Sequence, residues 1–414
     1  MIHIKTLPGP KTTAVLERYK KVIGLYDPPY PFVYGGKGQG VYVEDVDGNV
    51  FMDWASQIAA QPLGYQHPRM VEVAQAFAHR APLKLAGHDY YSLEHVELME
   101  ELASITPQEL NRFFLINSGA EAVENAIKIA YRTKPTARIG ISVQGAFHGR
   151  TLGALSLTNS KIAQKKNYPE IPMRRITLNS PDDLHRILKH DVHPENVAFV
   201  IAEPIQGEGG YRFASKEWLQ GLREETSAHH IPLIFDEIQT GLGRTGTWWA
   251  FEHSKVIPDI ITAAKGLQVG ATIGREEFFP TESSSISSTW GGGDLIHMAM
   301  GLTVIRAIKE EKLLENCKKT GAYFLKRIQE LEEKYSLVKG ARGQGLLLAI
   351  DLPSPELRNK LVEMNFNKGL ITLGCGPQSL RLIPPLIISE KEVDEGIVVL
   401  EQNVREVQNK EARK

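Results

Sequence analysis

The sequence predicts an α/β protein with a mostly parallel central sheet, helices on both faces of that sheet, and a smaller α+β domain. Between about residues 70 and 275, short apolar runs alternate with helical patterns. This alternation is typical of βαβ units, and the near-continuous apolar runs are typical of strands that are covered on both faces. The predicted strands are 112–116, 198–202, 233–235 and 260–264, and the predicted helices include 121–131 and 216–228.

Length and composition indicate an enzyme of two domains, or of one large domain with lobes. The chain has 414 residues, with 48 Lys+Arg against 49 Asp+Glu. Its near-neutral charge gives no electrostatic basis for nucleic-acid binding, and the absence of a run of about 18 apolar residues predicts no membrane span. Two cysteines, Cys317 and Cys375, do not form a disulfide framework and favour a reducing compartment, so we expect a cytoplasmic protein.

The remaining elements are assigned to the two ends of the chain. A helix is predicted at 12–23, followed by two strands around an Asp-Gly-Asn turn within 41–53. After a Gly-Gly-Gly run at 291–293, residues 295–335 read as a long helical region, and 346–352 and 380–383 as strands. We therefore expect a segment 1–65 that contributes to the small domain, a large domain 66–290, and a C-terminal small domain 291–414.

A predicted helix begins directly after the strand 112–116. Ser118 and Glu121 have the spacing of a capping box. This pattern is explained either by a well-capped helix or by a phosphate site. Free N–H groups at a helix N-terminus attract anions, and Gly119 would let the anion come close.

Two further strand ends carry ionisable side chains. Asp236 and Glu237 follow one strand, and Lys265 follows the next. Solvation at the strand end accounts for Glu237, whereas Asp236 adjoins the buried run and could stabilise a cationic ring nitrogen. A desolvated lysine amine is a nucleophile suited to Schiff-base chemistry. A lysine, an acid and a phosphate site together suggest pyridoxal phosphate.

A competing motif lies at 241–246, where Gly-Leu-Gly-Arg-Thr-Gly matches the dinucleotide pattern G-x-G-x-x-G. That pattern should follow its strand directly and open a helix. Here four residues separate Asp236 from Gly241, and Thr247 and the two tryptophans after it do not begin a helix. We interpret the match as coincidental, with a dinucleotide-dependent dehydrogenase as the alternative. No P-loop and no zinc-binding spacing occurs, so no metal is expected.

Six motifs, in order along nearly the whole chain, resemble the class III aminotransferases, the ω-aminotransferase branch of fold-type I pyridoxal-phosphate transferases. The motifs are Asn-Ser-Gly-Ala-Glu-Ala at 117–122, Gly-Ala-Phe-His-Gly-Arg-Thr at 145–151, Glu-Pro-Ile-Gln-Gly-Glu-Gly-Gly at 203–210, Phe-Asp-Glu-Ile-Gln-Thr-Gly-Leu-Gly-Arg at 235–244, Ala-Lys-Gly at 264–266 and Ser-Thr-Trp-Gly-Gly at 288–292.

This resemblance implies roles around the cofactor ring. Lys265 would form the Schiff base and then move the proton at the substrate carbon. Asp236 would hold the pyridine nitrogen protonated, and Gln239 would bond the ring hydroxyl. Phe147 would stack on the ring face with His148 as its neighbour.

The resemblance also implies roles at the phosphate. Gly119 and Ala120 would donate backbone N–H groups, at the turn that Ser118 begins. Thr289 would reach the phosphate of the neighbouring subunit's cofactor. The expected assembly is therefore a homodimer, or a higher oligomer, with shared active sites.

Substrate recognition is implied by two arginines and a glutamate. Arginine binds carboxylates bidentately, and Arg150 and Arg381 match the two carboxylate-reading arginines of the family. Glu208 matches a glutamate that pairs with the second arginine when an ω-amine donor lacks an α-carboxylate, and that swings away for glutamate or 2-oxoglutarate. Ile58 stands where ornithine-specific relatives have a tyrosine.

The motifs do not identify a single amino donor. Residues 155–159, 265–269 and 288–292 resemble lysine 6-aminotransferases, whereas 151–155 and 241–244 resemble acetylornithine enzymes equally. We favour 4-aminobutyrate or lysine as the donor and 2-oxoglutarate as the acceptor. The alternatives are an acetylornithine or ornithine aminotransferase and a same-fold amino-acid racemase.

Overall fold

The computed structural model describes residues 1–24, 28–87, 89–288, 292 and 294–413. The chain divides into a small unit made from both ends, Met1–Val71 with Glu315–Lys414, and a large unit, Glu72–Leu314. The predicted boundary at 290/291 differs from this division. The helix that begins at Leu295 belongs to the large unit because it packs against the helix Leu93–Ala103 of that unit.

The strands of the described residues span both units. In chain order they are β1 (Tyr34–Gln39), β2 (Tyr42–Asp45), β3 (Val50–Asp53), β4 (Arg112–Ile116), β5 (Ile139–Val143), β6 (Met173–Ile176), β7 (Val197–Ala202), β8 (Ile205–Gln206), β9 (Arg212–Phe213), β10 (Leu233–Asp236), β11 (Ile260–Ala263), β12 (Gly270–Gly274), β13 (Lys339–Gln344), β14 (Leu347–Asp351), β15 (Leu370–Ile371), β16 (Leu373–Cys375) and β17 (Ser379–Leu382).

The helices alternate with these strands. In chain order they are α1 (Pro10–Lys20), the left-handed turn α2 (Ser56–Ala59), α3 (Pro68–Phe77), α4 (Leu93–Ala103), α5 (Gly119–Thr133), α6 (Leu152–Leu157), α7 (Asp183–Arg186), α8 (Lys216–Ala228), α9 (Leu295–Glu310), α10 (Leu313–Lys334), α11 (Pro355–Asn367) and α12 (Glu390–Glu411). Short 3-10 turns include Ala250–His253 and Lys265–Leu267.

The large unit contains a seven-stranded sheet in the order β4-β12-β11-β10-β7-β5-β6. Only β12 runs antiparallel to its neighbours, β4 and β11, and the other pairs are parallel. The sheet is therefore mostly parallel, as the alternation of apolar runs and helices predicts.

Helices cover both faces of this sheet. Ile234 of β10 faces a cluster that includes Val123 and Ile127 of α5. Its neighbours Leu233 and Phe235 belong to the opposite cluster, with residues of α4, α8 and α9. Because successive side chains of a strand point to opposite faces, this alternation places β10 at the centre of a sheet that is buried on both sides.

The small unit is an α+β structure. One sheet has the order β1-β2-β3-β15, in which the C-terminal strand β15 runs parallel to β3. A second, antiparallel sheet has the order β13-β14-β17-β16. The pairing of β15 with β3 shows directly how the two chain ends form one unit.

One predicted helix has different bounds in the structure, since the helix predicted at 12–23 is Pro10–Lys20. The long helical region predicted at 295–335 is confirmed, and Lys312, with a φ of 54°, divides it into α9 and α10. Among the described residues, no helix combines the length and the apolar content needed to cross a membrane.

Candidate active site

The predicted site residues of the large unit share one edge of the sheet. The carboxyl ends of parallel strands lie at the same edge, where ligands of such sheets bind. Ser118 follows β4, Phe147 follows β5, Glu203 follows β7, Asp236 ends β10 and Lys265 follows β11. Five strands thus deliver polar or aromatic side chains to the same edge.

His148 and Asp236 form a buried pair. The distance between His148 Nδ1 and Asp236 Oδ2 is 2.7 Å, and both side chains are almost fully buried. Burial lowers the pKa of His148. The hydrogen bond and charge of Asp236, with the charge of Glu203, outweigh it and raise that pKa above its ordinary value. His148 is therefore protonated more readily than a free imidazole, through a contact with Asp236 that the sequence did not reveal.

The start of α5 has the geometry of an anion cradle. Ser118 caps the helix by accepting the Glu121 N–H at 3.4 Å. The first N–H groups of a helix, here those of Gly119 and Ala120, have no acceptor within the helix. A β-carbon added at Gly119 would lie 2.8 Å from Cδ1 of Ile238, so the Ile238 side chain would have to shift to admit a larger residue.

Lys265 has a strained backbone conformation, and Gln239 has a buried oxygen without a hydrogen-bond donor among the described residues. Lys265 is half-buried and has a φ of 47°, a left-handed conformation that costs a non-glycine residue about 1 kcal/mol or more. Gln239 is buried, and its Oε1 has no hydrogen-bond partner among the described residues. A buried amide oxygen without a donor is costly unless a ligand satisfies it.

Arg150 lies over the ring of Phe147. Its guanidinium carbon is 5.6 Å from the ring centroid, within the range of a cation–π interaction. Arg150 is exposed and Phe147 is half-buried. Glu208, on the loop that follows β8, is also half-buried.

Three predicted site residues lie outside the described residues of the large unit. Thr289 lies outside the described residues. Arg381 belongs to the small unit, where it is buried in β17 opposite Ala349 of β14. Ile58 also belongs to the small unit. It lies in α2, where Ser56 through Ala59 all have positive φ values.

Glu203 and Thr158 are residues that sequence reasoning left without a role. The Glu203 carboxylate accepts the N–H of Phe147 at 3.0 Å and the N–H of Gly207 at 2.8 Å. Burial, its largest influence, raises the pKa of Glu203 to about 7. The Thr158 hydroxyl accepts the N–H of His148 at 3.0 Å. A signal for Glu203 did exist, since it directly follows a strand of only apolar residues.

The interpretation of Glu237 as a solvated strand end is wrong. Its side chain is buried and accepts the N–H of Phe251 at 2.9 Å and the hydroxyl of Thr240. Burial raises the pKa of Glu237 to about 7. The carboxylate therefore holds the loop that follows β10 rather than facing water.

The competing dinucleotide motif does not have the required context. Residues 241–246 form turns and do not open a helix. The described part of the chain contains no group of three or more His, Cys, Asp or Glu side chains suited to hold a metal ion.

Four features of this edge fit pyridoxal phosphate. The N-terminus of α5 suits its phosphate, and the buried carboxylate of Asp236 suits a cationic ring nitrogen. The unsatisfied oxygen of Gln239 suits a hydroxyl donor. Lys265 emerges from the adjacent strand, where its amine could bind the aldehyde.

Comparisons with known proteins agree with this fit. The family model described as aminotransferase class-III matches residues 26–404. The chain is 37% identical to acetylornithine aminotransferase from Methanosarcina mazei, over 88% of this chain and 90% of that protein. It is 31% identical to alanine/serine racemase from Pyrococcus horikoshii, over 96% and 91%. Lysine aminotransferase from M. tuberculosis, solved in the internal aldimine form, superposes with a TM-score of 0.90 at 30% identity, covering 96% and 99%.

Proposed function

The chain belongs to the class III aminotransferases, and from this premise we propose that it transfers the terminal amino group of 4-aminobutyrate or lysine to 2-oxoglutarate, forming glutamate. Membership of the family makes the enzyme a pyridoxal-phosphate-dependent aminotransferase. We propose the identity of the amino donor, 4-aminobutyrate or lysine, and of the acceptor, 2-oxoglutarate.

When bound, pyridoxal phosphate supplies an electron-accepting ring at which the amino group is exchanged. Lys265 would hold the cofactor through its side-chain amine, and the same amine, once the donor amine has taken its place, would move the proton at the donor carbon. Asp236 keeps a negative charge at the ring nitrogen, and the buried hydrogen bond from His148 fixes the orientation of its carboxylate. Gln239 accepts the ring hydroxyl, and Phe147 covers the ring face.

The phosphate is assigned to the turn at the start of α5. Gly119 and Ala120 donate backbone N–H groups, and Ser118 orders that turn by capping the helix. Thr289 of a neighbouring subunit would complete the site, so the active form is a homodimer or a higher oligomer. Cys317 and Cys375 are buried and are not joined in a disulfide, which is compatible with the proposed cytoplasmic location.

The observation that carries the substrate class is the position of Arg150 over Phe147. An exposed guanidinium next to Phe147, the ring that we propose to stack on the cofactor, supports a role in binding a carboxylate of the substrate, because arginine binds carboxylates with two parallel hydrogen bonds. This favours ω-amino acids and dicarboxylic keto acids over simple amines, which offer no carboxylate.

Donor and acceptor are then distinguished by charge. Arg381 binds the α-carboxylate of glutamate or 2-oxoglutarate. Glu208 supplies the negative charge that replaces this carboxylate when a donor lacks it, because an uncompensated buried arginine is costly. Ile58 is apolar at the position where ornithine-specific relatives carry a tyrosine, which favours 4-aminobutyrate or lysine over ornithine as the donor.

A donor screen tests the proposal. The holoenzyme is incubated with 2-oxoglutarate and one of 4-aminobutyrate, lysine, ornithine, acetylornithine or a simple amine, and glutamate is measured. We expect glutamate from 4-aminobutyrate or lysine and none from the simple amine. Turnover of ornithine or acetylornithine alone would replace the proposed donor, and failure with every carboxylate-bearing donor would refute the role of Arg150.

Glu208→Ala should reduce kcat/KM for 4-aminobutyrate more than for glutamate, and equal losses would refute its switching role.

A second candidate function, amino-acid racemisation, is favoured by the 31% identity with an alanine/serine racemase along nearly the whole chain. The holoenzyme is incubated with L-alanine or L-serine in the absence of a keto acid, and optical rotation is followed. Inversion without glutamate formation in the donor screen would replace transamination as the main activity.

A further inference from the structure

One buried carboxylate links two loops of the candidate site. We define the Phe147 loop as residues 144–151 and the Glu208 loop as residues 207–211. Oε1 of Glu203 accepts the N–H of Phe147 at 3.0 Å, and its Oε2 accepts the N–H of Gly207 at 2.8 Å. Each oxygen of the carboxylate therefore holds a different loop.

The burial of Glu203 makes this arrangement costly unless both contacts are kept. The side chain is only 6% exposed and follows β7, in which every residue is buried. A buried charged group destabilises the fold unless donors compensate it. The two backbone N–H groups and the neighbouring His148 offset part of this cost, since each of them lowers the pKa of Glu203 against the larger effect of burial.

Holding both loops requires a carboxylate at position 203, because both of its oxygens must accept a hydrogen bond. An ionised carboxylate accepts hydrogen bonds at both oxygens, whereas an amide of the same shape accepts at one and presents an N–H at the other. A glutamine at position 203 could therefore hold one loop only, because its amino group would face the second N–H donor.

We propose that Glu203 is a positioning residue that couples the Phe147 loop to the Glu208 loop, so that the ring covering the cofactor and the residue selecting the donor are placed together. This inference rests on the proposed function, because it takes the roles of Phe147 and Glu208 from there. Glu203 itself touches neither substrate nor cofactor in this account.

The chain offers a matched control at the end of the neighbouring strand. Glu237 is also a buried carboxylate, and its oxygens accept the N–H of Phe251 and the hydroxyl of Thr240. Neither partner belongs to the Phe147 loop or the Glu208 loop. Glu203→Gln and Glu237→Gln make the same chemical change at buried positions. Glutamine at position 237 can keep both contacts, because its Nε2 can donate to the hydroxyl oxygen of Thr240, whereas glutamine at position 203 leaves one backbone N–H without its acceptor and releases one loop.

The experiment compares the two variants as holoenzymes with the wild type. The readouts are the visible circular dichroism per bound cofactor and the ratio of kcat/KM for 4-aminobutyrate to that for glutamate. We expect Glu203→Gln to change the dichroism and to lower the ratio about fivefold, the effect of losing one hydrogen bond of ordinary strength. Glu237→Gln should retain the wild-type dichroism and ratio.

Two results would overturn the inference. One is a folded Glu203→Gln enzyme with wild-type dichroism and ratio, and the other is equal changes in both variants. If Glu203→Gln does not fold, Glu203→Asp takes its place, because its shorter side chain cannot reach both N–H groups. If the wild type transaminates none of the donors, the proposed function fails by itself. The dichroism, which needs only bound cofactor, then still decides whether Glu203 positions the Phe147 loop.

Discussion

Replacement of Glu237 with glutamine should change how stability depends on pH, with little change at acidic pH. Glutamine can retain both contacts of the wild-type side chain. Its Oε1 can accept the N–H of Phe251, and its Nε2 can donate to the hydroxyl oxygen of Thr240. The main difference is that the glutamine never ionises inside the protein.

The magnitude follows from the shift in pKa. Burial raises the pKa of Glu237 from 4.5 to about 7. At about 1.4 kcal/mol per unit, this shift corresponds to about 3 kcal/mol. Because the folded state holds the proton more tightly than the unfolded state, the contribution of Glu237 to stability is lost as the pH rises from about 4.5 to about 7. The variant should therefore match the wild type near pH 5 and exceed it by up to about 3 kcal/mol near pH 8.

The assay is urea unfolding at pH 5, 6, 7 and 8, with cofactor at equal saturation in each sample. The free energy of unfolding of the variant minus that of the wild type is plotted against pH. Glu100→Gln, at an exposed position of α4, controls for the same chemical change in water. A flat difference for Glu237→Gln across this range would refute the assignment of Glu237 as a buried, proton-binding carboxylate.

Three further changes test the site. Gly119→Ala should weaken cofactor binding about tenfold, because its β-carbon would lie 2.8 Å from Cδ1 of Ile238. A titration should show partial recovery with Ile238→Val, and no recovery would exclude that clash as the cause. Thr158→Val should cost about 1–3 kcal/mol in urea unfolding, because the buried N–H of His148 loses its acceptor. An unchanged midpoint would contradict this. Lys265→Ala should abolish the mass gain that borohydride reduction gives the wild-type holoenzyme and should lower turnover by about a thousandfold. A retained mass gain would identify another lysine as the attachment point.

The sheet edge that carries the candidate site could be predicted from local patterns. The strand 112–116 and the helix 216–228 have the predicted bounds. Short apolar runs bounded by polar residues define buried strands, and in a parallel sheet their carboxyl ends meet. For that reason Ser118, Asp236 and Lys265 could be assigned to one edge without knowledge of the strand order.

Burial of the acidic residues could not be predicted in the same way. Glu203 depends on the N–H of Phe147, which lies 56 residues earlier, and Glu237 depends on the N–H of Phe251, which lies 14 residues later. Local hydrophobicity does not encode such distant donors. The break at Lys312 is similar, because lysine has no preference for the left-handed conformation that it adopts there.

Glu203, Asp236 and Glu237 are the three buried acids at the ends of β7 and β10. Their hydrogen-bond partners explain why we propose Asp236, and not Glu237, for the cofactor ring nitrogen. The oxygens of Glu203 and Glu237 bind backbone N–H groups or a hydroxyl, so those carboxylates are committed to holding loops. Asp236 uses one oxygen for the N–H of Ile238 and the other for the imidazole of His148. An imidazole can change its charge, whereas a backbone N–H cannot. Asp236 is therefore the one acid of these three whose partner, the His148 imidazole, can lose its proton if a cationic ring nitrogen binds next to the carboxylate.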